Sequence, residues 1–117
     1  PVMTELSMYF NPSCSKCRTA QGLLTERGID AEIIAYLDAA PTVAQLRELM
    51  GQLGIDDPRA MMRSGEAVYS ELSLAEVSGD GLLEAIAANP ILLERPIVVK
   101  NGRAVIARPP ELLLELL

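Results

Sequence analysis

The chain has no histidine and no tryptophan, one phenylalanine, three tyrosines and only two cysteines in 117 residues. A zinc centre needs about four nitrogen, sulfur or carboxylate ligands. Without histidine or a third cysteine, no bound metal is expected. Two cysteines do not make a disulfide scaffold, so they read as functional rather than structural thiols. With aromatics at 3%, Leu, Ile, Val, Met and Ala have to fill the core. Half the residues are hydrophobic, enough for a real core, and a single domain over residues 1–117 is expected. No apolar run is long enough to cross a bilayer and no basic leader precedes one, so the expected location is the cytoplasm. A monomer is expected. Positive charge is scarce too: the formal net charge is −6, which argues against bulk binding to nucleic acid or an anionic membrane. Eight of the ten basic residues are arginine. Its planar fork suits tetrahedral oxyanions, although a high-GC genome favours arginine as well.

What the chain does have is concentrated in Asn11-Pro12-Ser13-Cys14-Ser15-Lys16-Cys17-Arg18. This segment follows a short apolar run, Leu6 to Phe10, and opens a helical pattern through Ala20, Leu23 and Leu24. A cysteine at such a strand-to-helix turn faces the unpaired N–H groups of the first helical turn. Those groups and the helix dipole favour a thiolate and can also hold an anion. A free thiol of pKa about 8.5 is only about 3% ionised at pH 7, and such a setting can lower the pKa to roughly 3.5–7.5. Cys14 is the expected nucleophile. Cys17 lies three residues on, on the same face of the first turn, where the two can form a disulfide.

Strand, helix and strand account for the first 36 residues. The strand Leu6–Phe10 is followed by a helix from about Ser15 to Arg27, with Gly28 as its left-handed stop. Ile33, Ile34 and Tyr36 give the second strand. Thr42 with Gln45 reads as a capping box for a helix whose apolar face is Leu46, Leu49, Met50 and Leu53, ending at Gly54. Asp57-Pro58 starts a short helix containing Met61 and Met62, with Arg63 at its end. Leu72 and Leu74 belong to a segment of unassigned type. Asp80 is expected to cap a helix through Leu83, Ile86 and Ala87 that stops at Asn89-Pro90. Ile97-Val98-Val99 and Ala104-Val105-Ile106 flank Lys100-Asn101-Gly102-Arg103, a strong hairpin signal. Pro109 and Pro110 open a terminal helix with Leu112, Leu113, Leu116 and Leu117. The order is βαβ, a helical insertion at about 42–90 between the second and third strands, then ββα. With Cys-x-x-Cys after the first strand, this is the α/β thioredoxin-like plan, built on a four-stranded mixed sheet.

On these residues the chain resembles the glutaredoxin-linked arsenate reductase family, a branch of the thioredoxin-like superfamily. Asn11-Pro12-Ser13-Cys14-Ser15, with Arg18, resembles the family's nucleophile loop. Tyr36-Leu37, a proline and the capped helix at Thr42 resemble its second strand and helical insert. Arg59-Ala60-Met61-Met62-Arg63 resembles the segment that places an oxyanion-binding arginine. Asn89-Pro90-Ile91-Leu92, Glu94-Arg95-Pro96-Ile97-Val98-Val99 and Ala107-Arg108-Pro109 follow in the family's order.

The resemblance implies that the Cys14 thiolate attacks arsenic in bound arsenate while Arg63, Arg95 and Arg108 hold the oxyanion. Asn11, Lys16, Arg18 and Pro96 are its supporting residues, Pro96 through a cis peptide. No cofactor is bound; an external thiol such as glutathione attacks the adduct, arsenite leaves, and a glutaredoxin-like partner restores the enzyme. Each arginine also has a structural reading: Arg63 near a helix C-terminus, Arg95 paired with Glu94 or another surface carboxylate, Arg108 paired with Glu111. The chain departs from the family at two positions. Phe10 stands where the best-known members have histidine, which leaves Lys16, Arg18 and the helix terminus to stabilise the thiolate. Cys17 stands where they have serine. As a resolving cysteine it would make a disulfide reducible by thioredoxin or a related dithiol protein; as a structural residue it would be a small buried apolar group. Two alternatives stand beside an arsenate-type oxyanion reductase. One is a general thiol–disulfide oxidoreductase, for which the arginines matter little. The other is a non-enzymatic redox regulator whose dithiol state alters a surface for a protein partner.

Overall fold

The computed structural model of the chain describes residues 6–117. It divides into two units: the described residues 6–36 together with Arg95–Leu117, and Leu37–Glu94.

The first unit is built on the sheet. Strand β1 (Leu6–Tyr9) leads into helix α1 (Ser15–Glu26) and strand β2 (Glu32–Ile34), and β1 and β2 pair in parallel with Met8 opposite Ile33. Parallel neighbours need a crossover of this kind. Strands β3 (Ile97–Lys100) and β4 (Arg103–Ile106) complete a four-stranded sheet of order β2-β1-β3-β4. Strand β3 runs antiparallel to both of its neighbours and sets Tyr9 opposite Ile97. The expected mixed α/β sheet is therefore present.

Strand alternation puts Leu6 and Met8 on one face. There they pack with Ala20 and Leu24 of α1, and with Val98, Ala107, Leu113 and Leu116. Burying an aliphatic side chain of this size contributes about 1.5–3 kcal/mol, so a core almost without aromatics holds the helix to the sheet. The β3–β4 turn is the expected hairpin, with Asn101 at φ 50° and Gly102 at φ 77°. Two positive-φ residues in succession match the right-handed strand twist.

Two boundaries differ from expectation. Strand β2 ends at Ile34, and Tyr36 instead turns back, its N–H donating to the Ile34 carbonyl at 2.9 Å while its side chain is buried. The terminal segment Pro110–Leu116 is a 3-10 helix rather than an α-helix. Its buried residues are Pro110, Leu113 and Leu116, a three-residue spacing that only the three-residue turn keeps on one side.

The second unit is helical. Helix α2 (Val43–Leu53) starts at the expected box: the Gln45 N–H donates to Thr42 Oγ1 at 3.1 Å, and the Thr42 N–H donates to Gln45 Oε1 at 2.9 Å. It ends at Gly54 in the left-handed region. A 3-10 turn, Pro58–Met61, follows under an Asp57 cap. Helix α3 (Ala67–Glu71) and the 3-10 turn Leu74–Glu76 occupy the segment that carried no periodic signal. That stretch is organised from outside: Arg59 donates to the Tyr69 hydroxyl at 3.1 Å and to the carbonyls of Leu74, Ala75 and Val77. Helix α4 (Asp80–Ala88) is capped by Gly79, not Asp80. Gly79 sits at φ 58°, ψ −132°, a conformation essentially reserved for glycine. Asp80 is the first helical residue and bonds Arg47 at 3.1 Å. No helix among the described residues is long and apolar enough to cross a membrane.

Candidate active site

The turn from β1 into α1 is tied by its own first residue. Asn11 is buried; its Oδ1 accepts the Ser13 N–H at 2.9 Å and its carbonyl accepts the Cys14 N–H at 3.0 Å. Arg18, one turn into the helix, reaches back to donate to the Pro12 carbonyl at 2.8 Å. These bonds set Cys14 at the N-cap of α1 in an extended conformation, with its side chain making no cap bond.

Burial, the largest single influence, pushes the Cys14 thiol up. The backbone N–H of Cys17, the Cys17 side chain, the Arg95 guanidinium and the backbone N–H of Lys16 together outweigh it, and the pKa is lowered to about 7. About half of the sulfur is then thiolate at neutral pH. Cys17 goes the other way. Burial is again the first cause, the Asn11 N–H opposes it, and the hydrogen bond to Cys14 and the charge there add to it, pushing Cys17 up to about 11. Both thiols are free and buried, Cys14 at 8% exposure and Cys17 at 0%.

Arg95 arrives at this sulfur from the far end of the unit, immediately before β3. Its own pKa is raised: burial works against its charge, and the bond to Cys14 with the nearby Tyr36, Cys14 and Cys17 outweighs that. Its Nε and Nη1 are buried and have no hydrogen-bond partner among the described residues. Leaving a buried donor unsatisfied costs about 1–3 kcal/mol. Arg95 therefore keeps unsatisfied donors on a cation beside the Cys14 sulfur. Arg108 donates to the Arg95 carbonyl at 2.9 Å, and the Ala107 N–H donates to the Pro96 carbonyl at 2.9 Å. The Arg95–Pro96 peptide is cis, as the resemblance implied, and so is Arg108–Pro109.

One unit thus gathers Asn11, Cys14, Cys17, Arg95 and Pro96, with Arg108 held against the Arg95 backbone. Lys16 contributes its backbone N–H, and Arg18 braces the loop; the side-chain cation at the sulfur is Arg95. Neither Arg95 nor Arg108 forms an ion pair among the described residues, so the pairings with Glu94 and Glu111 are not made. Arg63 belongs to the helical unit. It lies beyond the 3-10 turn Pro58–Met61, its N–H donates to the Leu92 carbonyl at 2.7 Å, and its guanidinium bonds Glu66 at 3.1 Å and Glu94 at 3.3 Å. Sequence reasoning missed Tyr36 as a neighbour of Arg95; it is fully buried, with Tyr9 6.3 Å away ring to ring. Its aromatic character in an aromatic-poor chain was the available signal. No group of three or more metal-ligating side chains occurs among the described residues.

Comparison with known proteins places the chain in a family. The ArsC family model matches residues 9–116. An arsenate reductase of Neisseria meningitidis serogroup A is 47% identical over 111 residues, covering 93% of this chain and 95% of that protein. An arsenate reductase of Haemophilus influenzae is 42% identical, covering 94% and 97%. The solved structure of an arsenate reductase from Vibrio cholerae superimposes with a TM-score of 0.95 at 46% identity, covering 99% of this chain and all of that one. The family model and these matches span nearly the whole length, and the chain belongs to the ArsC family.

Proposed function

We propose that this protein is a thiol-dependent arsenate reductase with Cys14 as its nucleophile. The observation that carries the reading is the contact between an acidified Cys14 and an arginine whose Nε and Nη1 are buried without a partner. A general thiol–disulfide exchanger has no use for a buried, unpaired guanidinium donor beside its sulfur, whereas an oxyanion accepts from one. The named activity of relatives sharing 42–47% identity supports the same substrate.

The chemistry balances in two steps. Cys14 Sγ attacks arsenic and displaces an oxygen, which leaves as water after taking up protons; arsenic keeps its +5 state in the adduct. A second thiol then attacks the Cys14 sulfur. The sulfur–arsenic bond breaks with its electron pair retained by arsenic, which departs as arsenite, while the two sulfurs join as a disulfide. Arsenate carries one to two negative charges near neutral pH, so an approaching thiolate meets repulsion. Arg95, Arg108 and the N-terminus of α1 offset it. Arg63 is assigned to the oxyanion by the resemblance of its segment. Lys16, Arg18 and Asn11 support the loop, and Pro96 is assigned its supporting role by the resemblance. The reductant is an external thiol, either glutathione with a glutaredoxin-like protein or a thioredoxin-like dithiol, and the setting is a monomer in the cytoplasm.

The test is arsenate-dependent NADPH oxidation, coupled in parallel through glutathione–glutaredoxin and through thioredoxin–thioredoxin reductase. Turnover that disappears in Cys14→Ser is the expected result. Absence of turnover with both systems sinks the arsenate reading.

A further inference from the structure

We propose that Cys17 is the second thiol of the reaction, and that forming the bond at Cys14 is the event that readies it. The inference rests on the arsenate-reductase reading of Cys14 and extends it to the identity of the resolving group and the class of reductant.

The placement comes first. Cys14 is the N-cap of α1 and Cys17 is the third helical residue, so the two side chains share one face of the first turn. The Cys17 side chain hydrogen-bonds the Cys14 sulfur, and the Asn11 N–H meets the Cys17 sulfur. Cys17 has no exposure at all. External thiols and oxidants are thereby kept from it, while Cys14 is already in contact. A cysteine serving only as a small apolar filler has no reason to bond the nucleophile.

The electrostatics then order the steps. In the resting enzyme Cys17 keeps its proton for three reasons: burial, its hydrogen bond to Cys14 and the negative charge developing there. Its bond to Cys14 is also one of the interactions that lower the nucleophile's pKa. In this state Cys17 is a proton donor. Once Cys14 Sγ is bonded to arsenic the sulfur itself no longer carries a negative charge, and the charge of the adduct lies on arsenic oxygens that the Arg95 guanidinium holds. The Asn11 N–H and the Arg95 charge, which both favour a Cys17 thiolate, remain. Cys17 then loses its proton to an oxygen of the arsenic group or to water, and its sulfur attacks Cys14 Sγ. The new sulfur–sulfur bond forms as the sulfur–arsenic bond breaks, and the electron pair stays on arsenic. Arsenite leaves, and the enzyme is left with a Cys14–Cys17 disulfide.

That product selects its reductant. A monothiol such as glutathione can open the disulfide only by making a mixed disulfide at Cys14, the one sulfur with any exposure. Cys17 is then placed to attack that mixed disulfide and expel the glutathione again. A dithiol protein escapes this reversal, because its own second cysteine takes over the bond. The reductant of the completed cycle is therefore a dithiol protein.

The decisive experiment omits every external thiol. Fully reduced, desalted wild-type protein is mixed anaerobically with excess arsenate, and released arsenite and remaining free thiols are counted. The expected result is one arsenite per chain with loss of both thiols, found as an intramolecular disulfide in a peptide map. Cys17→Ser and Cys17→Ala are expected to release none until glutathione is added, then to turn over with it. If the wild-type protein also releases arsenite only when glutathione is present, the role of Cys17 is overturned and the arsenate-reductase reading stands. If neither wild type nor the variants release arsenite even with glutathione, both readings fall together. The wild-type arm decides on its own, so a poorly folding Cys17 variant does not block the test.

Discussion

Replacing Arg95 by methionine keeps much of the side chain's bulk and removes the cation that meets the Cys14 sulfur. A hydrogen bond to a charged group contributes about 1.5–3 kcal/mol, and about 1.4 kcal/mol corresponds to one pH unit of acidity. The N–H groups of Cys17 and Lys16 and the Cys17 thiol stay in place and take over part of the charge. The lower end of that range applies, and Arg95→Met is expected to move the Cys14 pKa from about 7 to roughly 8. At pH 7 the thiolate fraction then falls from about one half to about one tenth. Arg95→Lys restores a charge without the fork and should lie between the two. The assay is the rate of iodoacetamide alkylation at Cys14 against pH, read by peptide mass spectrometry so that Cys17 does not contribute. Stability gives an internal control. Arg95 buries two unsatisfied donors, so at pH 6, where Cys14 is mostly protonated, Arg95→Met should melt no lower than wild type. A folded Arg95→Met protein whose alkylation midpoint has not risen would refute the reasoning.

Two further expectations concern stability. Thr42→Ala removes the oxygen that accepts the Gln45 N–H; a lost cap of this kind costs about 1 kcal/mol, visible as a lower urea midpoint with an unchanged slope. Because folding lowers the Cys14 pKa, the folded state binds fewer protons there than the unfolded chain. That contribution, about 2 kcal/mol, is complete above the unfolded thiol value and is lost as pH falls through about 7. Wild type should therefore gain stability over Cys14→Ser between pH 6 and pH 8.5 in urea titrations; a constant gap would contradict the lowered pKa.

How far the sequence could be read depended on how far apart the cooperating residues lie. The capping box of Thr42 and Gln45, the Asn101-Gly102 hairpin and the Asn11–Cys14 loop each involve neighbours within four positions, and each was legible. Asp80 misled because aspartate is a good cap in general, whereas here the backbone at Gly79 adopts an angle pair that favours glycine. Helix α3 and the turn at Leu74–Glu76 had no apolar period to announce them. What fixes that stretch is a guanidinium 10 to 18 residues upstream, on Arg59. At the site, the resemblance gave Arg95 an oxyanion role, but composition and spacing could not place its charge on the sulfur. Lys16 and Arg18 were nearer in sequence, yet one offers its backbone and the other braces a carbonyl.

The sheet pairs β1 with β3, and that pairing has a consequence for how the protein is made. Cys14 is translated about eighty residues before Arg95, with the whole helical unit between them, so their meeting waits on a long loop closure. Until β3 joins β1, the nascent cysteine has its local N–H groups but no cation. A growing or misfolded chain therefore presents a thiol of duller reactivity, and full nucleophilicity arrives only with long-range assembly. Alkylation of Cys14 at mildly acidic pH becomes a reporter of folding, rising in step with the β1–β3 contact rather than with helix formation.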